Sequence, residues 1–290
     1  MNAPLFTPAI CNGERSIGAI LIDAGRLKAE DAEKILRLQR DQSLRFGDAA
    51  QQLGLVSAAD IEFALSRQFD YPYLQRGEGG VAEEVVAAYN PFARQVEALR
   101  ALRSQLMLRW FDSEAGRRCL AVTSPARGEG RSWIVANLGV VFSQLGERTL
   151  IIDANLRSPR QHLLFGVNNQ MGLSAALSGR GGPDIVRRVS ALVDLSVLPA
   201  GSLPPNPQEL IARPAFMALL KDLSESFDVI LIDTPAASQY ADAQTIAARA
   251  GGTLLVARRH VTRIAAARGL SKQLHQAGIN LVGTVLNEAL

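Results

Sequence analysis

Residues 119–137 read CLAVTSPARGEGRSWIVAN, and this stretch decides how the rest of the chain is understood. Leu120, Ala121 and Val122 form an apolar run of the kind a buried strand takes. A turn with Gly128, Glu129 and Gly130 follows, then a helical pattern carrying Ile134, Val135 and Leu138. Strand, glycine turn and helix make a phosphate cradle. Glycines let the backbone approach an anion, successive N–H groups point inward, and the helix N-terminus adds about half a positive charge. The phosphate-loop pattern asks for Lys and then Ser or Thr at the helix start. Here Arg131 stands in the lysine's place, Ser132 conforms, and Trp133 is bulky enough to be a packing residue. An ordinary β-turn-α corner reads similarly, so the rest of the chain has to separate the two.

Downstream, apolar runs alternate with helical patterns. Strands are expected at 120–123, 149–152, 195–198, 229–232, 253–257 and 281–286. That order predicts an α/β fold: a doubly wound, mostly parallel sheet with helices on both faces. Ligands in such sheets sit at the C-terminal ends of the strands. Two of those ends carry a carboxylate, Asp153 after TLII and Asp233 after VILI. A rigid strand ending in a hard oxygen ligand is what a phosphate–Mg²⁺ site needs. Either aspartate alone reads as a helix cap or turn residue. Two of them, downstream of a glycine cradle, point to a nucleoside triphosphate fold.

Composition narrows the setting. The 290 residues allow one large and one small domain, and 48% hydrophobic with 20% charged residues is ordinary for a globular protein. A net charge of +3, with basic residues interleaved among acidic ones, argues against nucleic acid as a partner. Cys11 and Cys119 are far apart, which suits a reducing compartment rather than a disulfide framework. The first residues lack a charged segment backed by an apolar core, and no run of 18 apolar residues occurs. An intracellular protein that meets membranes through a partner is expected. His162, His260 and His275 are scattered without ligand spacing, so no metal–protein site is built on them.

The first seventy residues repeat themselves at an offset of 29: Gly18 falls on Gly47, Gly25 on Gly54, Asp31 on Asp60, Leu36 on Leu65 and Gln39 on Gln68. Each half predicts a short helix ended near Gly25 or Gly54 and a longer one entered at 28–31 or 57–60. Residues 69–73 close the unit. Duplication for packing alone accounts for the pattern. The block also resembles the N-terminal domain of type II secretion and pilus-assembly ATPases, some of which bind cyclic di-GMP through two 24-residue motifs five residues apart. Residues 16–39 and 45–68 fit that spacing. The resemblance implies that Gly18, Gln39, Arg45, Gly47 and Gln68 line a dinucleotide site. Ser16 occupies the first motif's arginine position, with Arg15 beside it, and Ala32 and Ala50 replace leucines. A serine cannot stack on a base or pair with phosphate as arginine does. Cyclic di-GMP binding and protein docking both stay open.

Arg76-Gly77-Glu78-Gly79-Gly80 reads as a flexible joint. The expected organisation is a duplicated helical domain over 1–76, a linker over 77–89 and a nucleotide-binding domain over 90–290. Pro91 is expected to open a helix to about Trp110, with Val96, Leu99, Leu102 and Leu106 as its apolar stripe. Glu97, Arg100 and Arg103 lie along another face, and on pattern alone they make a solvated ridge.

Residues 90–290 resemble the bacterial tyrosine kinases of exopolysaccharide biosynthesis (BY-kinases), relatives of the MinD/ParA group. TSPARGEGRSW matches Walker A, TLIIDANLRSP the Walker A-prime station and DVILIDTP Walker B; LPAGSLPPNPQELI and GINLVGTVLNEA match as well. The resemblance implies ATP or ADP with Mg²⁺ as cofactors, held by Arg127, Gly128, Glu129, Gly130, Arg131, Ser132 and Trp133. It implies Ser132, Asp153 and Asp233 as metal residues, and Arg131, Asp153 and Asn155 in catalysis, with the A-prime pair acting on Mg²⁺ and the incoming tyrosine hydroxyl. Asn287 falls where related ATPases contact adenine. The Glu97/Arg100/Arg103 set matches the family's ring-assembly element, which replaces the solvated-ridge reading with one of homo-oligomer contacts. A transmembrane polysaccharide co-polymerase is the implied partner, on the cytoplasmic face of the inner membrane.

Three departures bear on activity. Arg131 keeps lysine's charge with a wider, flatter fork, and Asn155 cannot take a proton as aspartate does. The sequence ends without the family's tyrosine cluster, its tyrosines being Tyr71, Tyr73, Tyr89 and Tyr240. The expectation is an ATP-dependent tyrosine kinase or weak ATPase controlling chain length and export. The alternative is a non-catalytic regulator set by nucleotide occupancy. A partitioning ATPase fits poorly, because its extra loop lysine would fall at Ala126.

Overall fold

The computed structural model describes residues 16–68, 73–74, 77, 79–111, 116–181 and 185–288. Cys11, Arg15, the closing stretch 69–72, residues 76 and 78 of the expected joint and the last two residues lie outside these. The chain divides into two compact units, residues 1–72 and 73–290.

The first unit holds four helices, α1 (Ile17–Asp23), α2 (Ala29–Gln42), α3 (Phe46–Gln52) and α4 (Ala58–Gln68). α1 and α3 begin and end 29 positions apart, as the repeat requires. Gly25 and Gly54 follow α1 and α3 at φ +69° and +65°, a left-handed turn that glycine makes without a steric cost. Ser57 and Asp60 cap α4 reciprocally: the Ser57 N–H donates to Asp60 Oδ2 at 3.0 Å and the Asp60 N–H to Ser57 Oγ at 3.2 Å. Leu21, Leu27, Ile35, Ala49, Ala50, Val56 and Ala64 form the core.

The second unit opens with α5 (Val86–Tyr89) and α6 (Arg94–Arg109), then runs β1 (Cys119–Thr123), α7 (Arg131–Ser143), β2 (Thr149–Asp153), α8 (Gln161–Leu164) and α9 (Leu173–Leu177). It continues through β3 (Arg187–Arg188), β4 (Leu195–Leu198), α10 (Pro207–Ala212), α11 (Pro214–Ser226), β5 (Val229–Asp233), α12 (Asp242–Ala250), β6 (Gly252–Arg258), α13 (Ile264–Gln276) and β7 (Asn280–Asn287). The sheet order is β3-β4-β2-β5-β1-β6-β7, parallel except for β3. β1 lies inside the sheet between β5 and β6, and β1, β2 and β5 are buried almost throughout. This is why their sequences are continuous apolar runs rather than alternating ones.

α7 is buried nearly all round, because it lies between the sheet and α5 and α6. A β-carbon on Gly139 would lie 2.5 Å from Ile151 Cδ1, so that glycine sets how closely α7 approaches β2. The buried Asn137 accepts from the Ala87 N–H at 2.9 Å and donates to the Glu84 and Trp133 carbonyls. Residues 81–88 of the expected 77–89 linker belong instead to the second unit: Val81, Val85, Ala87 and Ala88 are buried in its core. The glycines around 77–80 mask this, since apolar burial begins right after them. The helix expected from Pro91 starts at Arg94, with Pro91 in the turn before it. β3 was not anticipated, being two arginines long and paired only on one side.

Candidate functional site

The site forms where β1, β2 and β5 end. Gly128 and Gly130 sit at φ +81° and +99°, and Gly130 is the N-cap of α7. Those angles turn the loop into the helix as a phosphate cradle requires. The loop is fastened from the β6–β7 side. Glu129 is buried, its carboxylate accepting from the Ala126 N–H at 2.7 Å and from the Thr262 hydroxyl. Arg258 donates to the Gly128 carbonyl at 3.2 Å and Asn287 Nδ2 to the Glu129 carbonyl at 3.1 Å. Glu129 and Asn287 thus shape the loop from behind. Nothing in the local sequence marked Thr262 or Arg258, which only the fold brings alongside.

Arg131 is 7% exposed. Its Nε donates to the Thr234 carbonyl at 2.9 Å, and its Nη1 to the Ala126 carbonyl at 2.8 Å and to the Ser124 hydroxyl. Burial pulls its pKa below the usual arginine value, while Asp233 and Glu129 favour the charge. The fork is therefore engaged with the loop's own acceptors, with one edge on the cleft.

Asp153 and Asp233 are register partners on adjacent strands, both fully buried. Asp153 accepts from the N–H groups of Asn155, Arg160 and Gln161 at 3.2, 2.8 and 2.9 Å. Asp233 Oδ2 accepts from Gln161 Nε2 at 2.7 Å, and the Ser132 hydroxyl lies close enough to favour the charged carboxylate. Among the described residues, Asp233 Oδ1 is buried with no partner. Burial, with Asp233 beside it, pushes Asp153 up to about 8. Burial raises Asp233 as well, against the pull of Arg131, Gln161 and Ser132.

Magnesium fits this donor set. Asp233 Oδ1 is an orphaned hard oxygen next to Ser132, and buried acceptors of this kind call for a donor or a cation. Among the described residues no cluster of three His, Cys, Asp or Glu could hold an ion alone. Mg²⁺ does not require one, being bound through one or two carboxylates plus phosphate oxygens and water.

Asn155 is closed on its own loop: Nδ2 donates to the Ser158 carbonyl at 2.8 Å and Oδ1 accepts from the Ser158 N–H at 3.2 Å. It still lines the cleft of about 480 Å³ with Arg127, Arg131, Ser132, Arg157 and Tyr240. Four arginines, counting Arg160, give this mouth a positive field. Trp133 packs partly into the core and partly against the cleft.

The remaining predicted residues lie elsewhere. Glu97 pairs with Arg100 at 3.1 Å, and Arg103 turns onto α7 to donate to the Val141 carbonyl at 2.6 Å. In the first unit Gly18 is buried, its β-carbon position 3.0 Å from the Phe46 ring, and Gly47 faces Ile61 at 3.2 Å. Ser16 and Arg45 hold equivalent N-cap positions before α1 and α3, and only Ser16 makes a side-chain cap. Gln39 and Gln68 are half-buried and Arg45 is exposed.

A glycine loop leaving an inner parallel strand, with aspartates closing two further strands, defines an α/β domain of the P-loop NTPase type. The solved MinD cell division ATPase of Pyrococcus furiosus shares it at TM-score 0.52 and 27% identity, covering 59% of this chain and 72% of that one. More specifically, the chain belongs to the BY-kinase family, and residues 118–281 match the family model described as cellulose biosynthesis protein BcsQ. It is 34% identical over 204 residues to the tyrosine-protein kinase wzc of Salmonella typhimurium, covering 70% of this chain and 28% of that protein. The kinase domain of the Escherichia coli tyrosine kinase ETK superposes with TM-score 0.69 and 30% identity, over 76% of this chain and 86% of that one. The chain thus spans less than a third of the curated kinase it matches. Among the described residues no helix is long and apolar enough to cross a membrane.

Proposed function

We propose that this chain is a tyrosine-kinase-like module of exopolysaccharide biosynthesis that takes ATP or ADP with Mg²⁺ in the cleft under the 127–133 loop. The observation that carries this reading is the orphaned Asp233 Oδ1, buried beside Ser132 at the end of β5. When bound, magnesium would be held from the protein side by Ser132 and Asp233 and would offset the charge of the phosphates. Asp153 fixes the start of α8 behind this site, and the loop N–H groups with the arginine-lined mouth receive the phosphates. Nucleotide occupancy is then read as ring assembly through Glu97, Arg100 and Arg103 on a transmembrane co-polymerase at the cytoplasmic face of the inner membrane, setting polysaccharide chain length and export.

A second reading, a nucleotide-binding regulator without autophosphorylation, is favoured by two particulars. Both polar functions of Asn155 are used by Ser158, and a carboxamide at this place takes no proton from an incoming hydroxyl. Arg131 is tied to three acceptors of its own loop and the β5 exit. γ-Labelled ATP, supplied with and without the co-polymerase's cytoplasmic tail, separates the readings. Label on tyrosine supports the kinase; bound nucleotide with no label on any protein supports the regulator. Absence of ATP and ADP binding would remove both.

The first unit supplies a second input in this proposal, either as a protein-docking module or by taking cyclic di-GMP with Arg45 as the charged contact and Gly18, Gln39, Gly47 and Gln68 as the rest of the set. Isothermal titration of the full chain with cyclic di-GMP tests the latter, and no heat at high micromolar ligand removes it.

A further inference from the structure

We propose that Gln161 is the positioning residue of the metal side of this site, an inference that rests on the nucleotide reading above. Gln161 opens α8 and is fully buried. Its backbone N–H donates to Asp153 Oδ2 at 2.9 Å, its Nε2 to Asp233 Oδ2 at 2.7 Å, and the same Nε2 to the Ser132 carbonyl at 3.1 Å. One residue therefore joins the ends of β2 and β5 to the start of α7. Both amide hydrogens are committed, and among the described residues Gln161 Oε1 is left buried without a partner, as is Asp233 Oδ1.

Those two orphans are acceptors, and they belong to one buried cluster. The group that satisfies such a pair is a cation together with the water it keeps, and Mg²⁺ keeps several. The arrangement divides the work on Asp233. The carboxamide holds one carboxylate oxygen and so fixes the rotamer that turns the other toward the ion, while Oε1 accepts from an ion-bound water. Helix initiation does not need this side chain, because Asp153 already caps α8 through the Arg160 and Gln161 N–H groups. Sequence gave no hint of the role, since a glutamine between Arg160 and His162 reads as an ordinary helix residue.

The test is ADP binding by the full chain, once in EDTA and once across a Mg²⁺ titration, for wild type, Gln161→Met and Gln161→Glu. Met keeps length and packing without donors; Glu keeps an acceptor but loses both donors. For both variants the metal-free affinity should stay within about twofold, while the Mg²⁺ concentration giving half-maximal tightening rises about 10–100-fold, the range for residues that orient metal ligands. If the Met variant does not fold, the Glu variant decides by the same criterion. A wild-type Mg²⁺ dependence in a folded variant overturns the proposal. So does an equal loss with and without metal, which marks a purely structural role. Wild-type protein that binds no ADP under either condition overturns the nucleotide reading itself.

Discussion

A β-carbon placed on Gly130 would lie 2.0 Å from Asn287 Nδ2, which is itself bonded to the carbonyl of Glu129. The last strand of the sheet thus presses on the one point where the phosphate loop becomes a helix, and φ at that point is +99°.

Gly130→Ala should therefore lower nucleotide affinity by at least about 100-fold, equivalent to about 2.7 kcal/mol. Trimming Asn287 to Ala in the same chain relieves the clash but not the left-handed backbone, so affinity should recover only in part. Calorimetric titration with ADP and Mg²⁺ reads both, and full recovery in the double variant would show that φ is not limiting.

Arg131→Lys exchanges a fork that serves three acceptors for an ammonium on a shorter reach. Freed from the Thr234 carbonyl, the ammonium can turn to the phosphates. Tighter Mg²⁺–ATP binding or faster turnover is expected, with a stability loss of about 1 kcal/mol from the broken bonds. Unchanged affinity and rate would mean that the loop is already adapted to arginine.

The buried Asp153–Asp233 pair predicts how metal-free stability follows pH. With Asp153 raised to about 8, the folded protein keeps a proton between about pH 4 and pH 8 that the unfolded chain has released. Stability from this pair is highest at the acid end of that window and falls as pH rises through it. The slope contributed by the one proton on Asp153 approaches about 1.4 kcal/mol per unit, or roughly 2–4 °C in Tm per kcal/mol for a domain of this size. Asp153→Asn should flatten that decline, and melts in EDTA from pH 5 to 8 compare the two. Because metal binding needs the ionised form, Mg²⁺-dependent ADP affinity should rise over the same interval.

At the opposite ends of the strands, Asp228 accepts from Arg118 at 2.9 Å and from Arg148 at 2.7 Å, tying the entries to β1, β2 and β5. Arg148, then Arg118, holds its carboxyl down at about 2. The resulting stability is present above the usual carboxylate range and is lost as pH falls through about 2. Asp228→Asn should cost about 1 kcal/mol at pH 7, a modest figure because solvent screens a side chain that is 28% exposed. Urea unfolding at pH 7 and pH 2 checks it, the difference between the proteins shrinking at the lower value, where the carboxyl is half protonated.

Five of the six expected strands are legible because buried parallel strands are apolar along their length, with Asp153 and Asp233 at two ends; β7, at the sheet edge and only partly buried, shows its apolar run without that reason. The cradle was legible for a related reason, since positive φ at Gly128 and Gly130 restricts the residue type locally. β3 was not, because two arginines make no pattern. Residues 81–88 were read as part of a linker although their burial comes from α7, a partner some fifty positions away.

By itself, then, the sequence determined what is local or periodic: where along the chain the strands fall, the turn glycines, the duplicated helices and the carboxylates at strand ends. The tertiary structure alone decided what each polar group does. It turned Arg131 inward, closed Asn155 on Ser158, set Glu129 against Thr262 and placed Gln161 between two aspartates. A polar side chain is defined by the partners that burial leaves within reach, and those partners come from elements distant in the chain.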